Sequence, residues 1–280
     1  MARMSTRRKM AIATWSAPRE GNIYGKLTLD VGEALDYITW ARETTGEKIT
    51  ITHLVGKAMG LALAAAPGLN GRIVFGRFVP FASVDVAFLV VVEGGNDLAK
   101  VKVADVDQKT VAQIAAELRA GAERVRTGGD PEFESSKGLM RALPTWIIRP
   151  LLRGVSFVTS ALGIELKALK LSRFPFGSAV LTNVGVFGLD EGFAPHTPFA
   201  RVPVFVLMGA MHDAVVARDG QAVIRPQMTI TATIDHRFMD GAQGAVLART
   251  MREVFANPWK LDGLDGRPKA IEAEPGGVSA

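Results

Sequence analysis

A chain with no cysteine forms no disulfide, holds no metal through thiolates and supplies no cysteine nucleophile. Any thiol in its chemistry must arrive on a substrate. Histidine is scarce too: His53, His196, His212 and His236 are the only four, and their spacing is not that of metal ligands, so no metal is expected. No apolar run approaches the ~20 residues that a membrane-spanning helix needs. Gly21-Asn-Ile-Tyr-Gly25-Lys26 is one residue short of a phosphate-binding loop and lacks the Ser or Thr that should follow, and no Gly-x-Ser-x-Gly elbow occurs. No basic stripe is interleaved with aromatics, so nucleic acid is not expected as a partner. The basic residues among the first ten precede an apolar patch too brief and interrupted for a signal peptide. A cytoplasmic location is the default expectation.

What is present suits a soluble globular protein, with 48% hydrophobic and 22% charged residues in a chain of 280, long enough for one large domain. The formal charge of +5 fits an anionic small ligand as well as it fits a slightly basic surface. The most informative stretch is Thr231-Ala-Thr-Ile-Asp-His-Arg-Phe-Met-Asp-Gly241. Thr229, Thr231 and Thr233 alternate with Ile230, Ala232 and Ile234, the period of a strand. Asp240 then reads as a helix N-cap with Gln243 as its capping-box partner, and Val246, Leu247, Thr250, Met251, Val254 and Phe255 recur at helical spacing up to Pro258. His236 is therefore expected at a strand-to-helix corner. A neutral imidazole there can take a proton from a thiol or alcohol and return it near neutral pH. A hydrogen-bonded structural histidine would satisfy the same pattern, and capping alone accounts for Asp240.

Asp235-His236-Arg237-Phe238-Met239-Asp240-Gly241 resembles the Asp-His-Arg-x-x-Asp-Gly signature of the dihydrolipoamide acyltransferases, core components of 2-oxo-acid dehydrogenase complexes. Chloramphenicol acetyltransferase and the larger CoA-dependent acyltransferases share a looser His-x-x-x-Asp-Gly. Other stretches carry the same likeness. Pro67-Gly-Leu-Asn70 resembles a Pro-x-x-Asn that ends a buried helix, and Val101-Lys-Val103 stands where family members usually have Val-Pro-Val. Gly177-Ser-Ala-Val-Leu-Thr-Asn-Val-Gly185 resembles a strand with Ile-Ser-Asn-Leu-Gly, which places Thr182 where the family has an oxyanion-donating serine.

Periodicity gives a strand over 24–30, a helix over 32–43, and a helix over 53–66 with Leu54, Ala58, Leu61 and Ala65 inward and Pro67 as its stop. Strands follow over 72–80, 83–93 and 98–103, then a helix over 108–124 with Asp107 as its cap. A segment at about 128–176 departs from the family, and Ser136 to Leu171 within it reads as two or three amphipathic helices. This helical insert either packs on the body or a neighbouring subunit, or forms a lid that selects the acyl group. Strands over 202–208, His212–Ala217 and Gln221–Ile224 complete the pattern, the last two flanking a turn at Arg218-Asp219-Gly220. Residues 8–16 suit a short helix, and 261–280 a flexible tail beyond a single domain of residues 1–260.

The resemblance implies an α/β fold of the α+β type, chloramphenicol acetyltransferase-like, in which a mixed sheet carries helices on one face. It also implies a homotrimer with active sites between subunits and coenzyme A as a substrate. His236 would deprotonate the thiol of CoA or dihydrolipoamide for direct attack on a thioester, Thr182 would stabilise the oxyanion, and Asp240 would hold the loop through an ion pair. The 280 residues accommodate only the catalytic part, so the lipoyl group is expected on a separate lipoyl-bearing protein. The polar end, Glu274 to Ala280, lacks the apolar anchor of cage-forming relatives, so a free trimer is expected. Membrane contact through Arg149 and Arg153 of the insert is not expected. Two alternatives stay open: an acyltransferase with another thiol, hydroxyl or amine acceptor, and a non-catalytic scaffold that keeps the fold.

Overall fold

The computed structural model of the protein describes residues 21–92, 97–128, 142–167 and 170–268. The expected helix over 8–16 lies outside them. Six strands form the central sheet: β1 (Asn22–Asp30), β4 (Val86–Val92), β5 (Asp97–Val103), β6 (Ala179–Asn183), β7 (Val204–Arg218) and β8 (Gln221–Asp235). Their order is β1-β8-β7-β6-β4-β5. The sheet is mixed, because β6 runs parallel to both β4 and β7 while the other neighbours are antiparallel. Among the described residues the α-helices are α1 (Gly32–Thr45), α2 (Ile51–Ala65), α3 (Val111–Gly128), α4 (Thr145–Ser156) and α5 (Gly241–Ala256). No helix of the described residues is long and apolar enough to cross a membrane.

Alternation along each strand sorts its side chains by face. Phe88, Leu181, Val206, Met208 and Ile230 share one buried core with Val55 and Leu63 of α2, Ile114 of α3 and Phe255 of α5. Helices α1, α2, α3 and α5 therefore cover one face of the sheet, as the resemblance implies, while α4 packs elsewhere. The opposite face keeps a smaller core in which Ala87, Val180 and Phe205 meet Ala200 and Val202.

Local chemistry shifts several boundaries. Residues 72–80 are a hairpin, β2 (Gly71–Val74) with β3 (Arg77–Pro80), and not one strand. Phe75 and Gly76 both adopt positive φ (48° and 74°), as a tight I′ turn requires. The cap of α3 is Thr110, whose hydroxyl accepts from the Gln113 N–H at 3.2 Å while the Gln113 side chain accepts from the Thr110 N–H at 2.9 Å. Asp107 lies before that cap, and its main-chain carbonyl accepts from the buried Lys57 Nζ at 2.6 Å. Ala65 is exposed at the end of α2. The two short strands expected around 202–217 are one continuous strand, β7, interrupted by a bulge between Met208 and Met211.

In the insert, α4 runs directly into a π-helical turn, Phe157–Ala161. Beyond it Gly163 and Lys170 take positive φ (72° and 54°), so the chain leaves helical geometry where further helices are read from the pattern. Ile148 and Leu152 of α4 pack with Phe199, and residues 136–141 lie outside the described ones. At the C-terminal end, the Tyr37 hydroxyl donates to Asp262 Oδ2 at 2.6 Å and Arg267 to Asp36 at 3.1 Å. The stretch up to residue 268 is thus tied to α1; the rest of the expected tail, 269–280, is outside the description.

Candidate active site

Residues 235–240 connect β8 to α5, and contacts of their own side chains hold the turn. The Asp235 carboxylate takes two parallel hydrogen bonds from Arg237, Nε to Oδ1 at 3.0 Å and Nη2 to Oδ2 at 2.6 Å. It also accepts from the Arg237 backbone N–H at 3.0 Å. Burial pushes the Asp235 carboxyl up, but these bonds outweigh it and its pKa ends below the ordinary carboxylate value. Phe238 and Met239 are buried, the former edge-on to Phe78 at 6.3 Å. Asp240 caps α5, accepting from the Ala242 and Gln243 N–H groups at 3.0 and 3.3 Å, and Gln243 returns a bond to the Asp240 N–H at 2.9 Å. His236, Arg237 and Asp240 are exposed, and His236 presents its imidazole at this surface.

The ring of His236 has a defined proton. Its Nδ1 lies 3.0 Å from the Met239 carbonyl oxygen, and a carbonyl only accepts, so in the neutral ring Nδ1 carries the hydrogen and Nε2 is the basic nitrogen. Asp240 acts one step removed, by fixing the start of α5 immediately after that carbonyl. Among the described residues it has no ion-pair partner; the ion pair of the turn is Asp235–Arg237.

Thr182 lies on β6 with its side chain on the sheet face opposite the helices. The side chain is 8% exposed and its hydroxyl makes no hydrogen bond among the described residues. One chain does not bring it to His236. Thr182 is level with Leu207, and Leu207 with Thr231, so the turn that follows Asp235 is two strands across and four residues along. At about 4.8 Å per strand and 3.3 Å per residue that separation is on the order of 15 Å.

Of the other histidines, His53 serves structure: its Nδ1 accepts from the Thr50 N–H at 2.9 Å in the capping box of α2. His196 lines a cavity of about 350 Å³ bounded also by Arg72, Ser160, Arg201, Asp235 and Arg237. This cavity adjoins the turn on both sides of His236, and sequence reasoning did not bring Arg72, Ser160, His196 and Arg201 to it. Arg72, Ser160, His196 and Arg201 are scattered over 130 positions with no shared spacing, and only the fold assembles them. Among the described residues no three His, Asp or Glu side chains gather as a metal would require.

The sequence model of one family, the 2-oxoacid dehydrogenases acyltransferase (catalytic domain), matches residues 4–136 and 163–262. It leaves out 137–162, which lies inside the 128–176 segment. The chain is 25% identical over 223 residues, 79% of its length and 45% of the relative's, to the dihydrolipoyllysine-residue acetyltransferase component of the acetoin cleaving system of Bacillus subtilis. It is 25% identical over 230 residues, again 79% and 45%, to the dihydrolipoyllysine-residue succinyltransferase component of the 2-oxoglutarate dehydrogenase complex of Haemophilus influenzae. The chain thus spans less than half the length of these relatives. Among solved structures, a probable dihydrolipoamide acetyltransferase from Listeria monocytogenes superposes with a TM-score of 0.68 over 95% of this chain and 97% of that one at 14% identity. A chloramphenicol acetyltransferase superposes at 0.51 over 90% and 96%, at 12% identity, which shows the shared fold. With 233 of its 280 residues inside the family match, the chain belongs to the family of 2-oxoacid dehydrogenase acyltransferase catalytic domains.

Proposed function

We propose that the protein transfers an acyl group between the thiol of CoA and a dihydrolipoyl thiol, with His236 as the general base. The observation that carries this reading is the Nδ1–H bond to the Met239 carbonyl, which makes Nε2 the basic nitrogen of the neutral ring at the exposed edge of the turn. Nε2 takes the proton from the attacking thiol, and the thiolate adds to the thioester carbonyl carbon. The tetrahedral oxyanion accepts a hydrogen bond from Thr182, the old C–S bond breaks, and the departing thiolate recovers the proton from His236. General-base help of this kind contributes typically ~10²–10⁴ in rate, and one oxyanion donor roughly 10²–10³.

Thr182 and His236 are too far apart to serve one carbonyl within a chain, so the Thr182 of one subunit faces the His236 of its neighbour, in a homotrimer. Exposed Val186 (63%), Phe187 (53%) and Leu189 (54%), in the loop after β6, supply apolar surface suited to such an interface. A second reading, with a non-lipoyl acceptor, is favoured by one observation: Ser160, which lines the cavity beside the turn, falls in the 137–162 segment outside the family match.

The test is release of CoA thiol from acyl-CoA with and without dihydrolipoamide. His236→Ala and Thr182→Val should each lose transfer, and coexpressing the two should restore part of it, since mixed trimers contain one intact pairing. If both single variants are inactive and mixed trimers stay inactive, the inter-subunit arrangement is wrong. If His236→Ala retains the parent rate, the base is wrong.

A further inference from the structure

The cavity beside the His236 turn holds chemistry that proton transfer through His236 does not use. Three guanidinium groups, Arg72, Arg201 and Arg237, line it against a single carboxylate, Asp235. That carboxylate is already engaged by Arg237. Among the described residues neither Arg72 nor Arg201 has a carboxylate partner. The Arg72 guanidinium lies over the Phe174 ring at 4.5 Å, with its Nε buried and without an acceptor among the described residues. Arg201 sits 5.6 Å from the centre of the Phe157 ring and donates through Nε to Ser156 Oγ at 3.0 Å. Burial first, and then the charge of Arg237, hold Arg201 below the ordinary arginine value, as expected for neighbouring cations without an anion between them. Ser160 is 5% exposed, and its hydroxyl has no hydrogen-bond partner among the described residues.

Partly desolvated cations and a buried, unsatisfied hydroxyl are unfavourable unless something answers them. Stacking on Phe174 and Phe157 fixes the guanidinium planes in advance, so little freedom remains to be lost on gripping a planar or tetrahedral oxyanion. We propose that this cavity binds an oxyanion carried by the substrate of the His236 site, a carboxylate or phosphate received by Arg72 and Arg201 with the Ser160 hydroxyl. Asp235, Arg237 and Phe238 of the catalytic turn bound the cavity, so a group held there belongs to a molecule that also reaches the imidazole. Two parts of an acyl-CoA have this chemistry: the distal carboxylate of a dicarboxylic acyl chain, and the ribose 3′-phosphate of the CoA moiety. Ser160 and Ala161 of the cavity wall come from the segment outside the family match, whereas Arg72 and Arg201 lie within it. Naming an acyl-CoA as the source rests on the acyl-transfer reading; the anion site itself does not.

The experiment is calorimetric titration of the full chain with four ligands: CoA thioesters of a four-carbon dicarboxylic and a four-carbon monocarboxylic acid, CoA, and dephospho-CoA. A carboxylate source gives the dicarboxylic thioester an advantage of about tenfold or more over its monocarboxylic counterpart; a phosphate source gives CoA that advantage over dephospho-CoA. In either case Arg72→Gln and Arg201→Gln should erase the preference, Arg201→Lys should restore only part of it, and Ser160→Ala should weaken it in a protein whose thermal midpoint is unchanged. Binding is read without turnover, so the preference persists in His236→Ala even if the acyl-transfer reading fails. Equal affinity for both members of each pair in the parent overturns the proposal, as does a preference that survives in folded Arg72→Gln and Arg201→Gln.

Discussion

The Nδ1 of His236 lies 3.0 Å from the main-chain oxygen of Met239, three residues on, and this one bond selects the nitrogen that can act as a base. Removing the ring should lower transfer without disturbing the fold, because His236 is exposed and the turn is held by Asp235–Arg237, by buried Phe238 and Met239, and by the cap of α5. His236→Ala is expected to slow transfer by ~10²–10⁴ while shifting stability by no more than about 0.5 kcal/mol. Steady-state rates beside urea midpoints check both halves. A rate within a few-fold of the parent would remove His236 from the mechanism.

Asp240 tests the distinction between cap and charge. Alanine there should lose about 1 kcal/mol of stability with the cap and let the Met239 carbonyl drift, so transfer falls as well. Asparagine caps equally well but carries no charge. If Asp240→Asn restores both stability and rate, the cap is the whole role. If it restores stability alone, the negative charge matters, as in the ion pair that the resemblance implies, and the partner must be sought outside the described residues of the same chain.

Much of this arrangement is written locally in the sequence, and the reason is physical. Strand alternation over 229–234, the Asp240/Gln243 box and the helical run to Phe255 are short-range patterns with one geometric solution each. Motif likeness added the family and the mixed sheet. What stayed hidden depends on distant contacts or on turns. The positive φ of Phe75 splits a stretch that reads as one strand, and Asp107 satisfies the rule for a cap but lies too far ahead of α3 to serve, leaving Thr110 that role. The approach of Arg72, Ser160 and Arg201 arises from three separate segments, and no window of sequence contains it.

His53 predicts a pH dependence of stability. Burial, and secondarily the charge of Arg42, lowers its pKa from 6.5 to about 4, and its Nδ1 must stay unprotonated to accept from the Thr50 N–H. The unfolded chain therefore binds this proton more readily than the folded one. The contribution is full above about pH 6.5 and is lost as pH falls through 4, on the order of 3 kcal/mol in all. Gln at position 53 keeps an acceptor and does not titrate. Urea midpoints between pH 7 and 4 should fall more steeply for the parent than for His53→Gln; parallel curves would mean that another group sets the acid limb.

Gly209 joins the β7 bulge to the loop that follows Thr182. A Cβ at this position would stand 1.7 Å from the main-chain oxygen of Asp190, a backbone atom that cannot rotate away. The same loop is pinned by hydrogen bonds from the Val184 N–H to the Met208 carbonyl at 2.9 Å and from the Ala210 N–H to the Leu189 carbonyl at 2.8 Å. Gly209→Ala must therefore lift residues 184–190 off β7, at about 2–3 kcal/mol by analogy with other overpacked sites. Because that loop continues β6 directly from Thr182 and Asn183, the displacement should reach Thr182, the proposed oxyanion donor. Transfer should then fall well beyond the loss of folded protein, measured as kcat per folded subunit at a temperature well below the midpoint. A stable Gly209→Ala protein with reduced kcat would tie the donor to the seating of this loop; an unchanged kcat would mean that Thr182 is held by β6 alone.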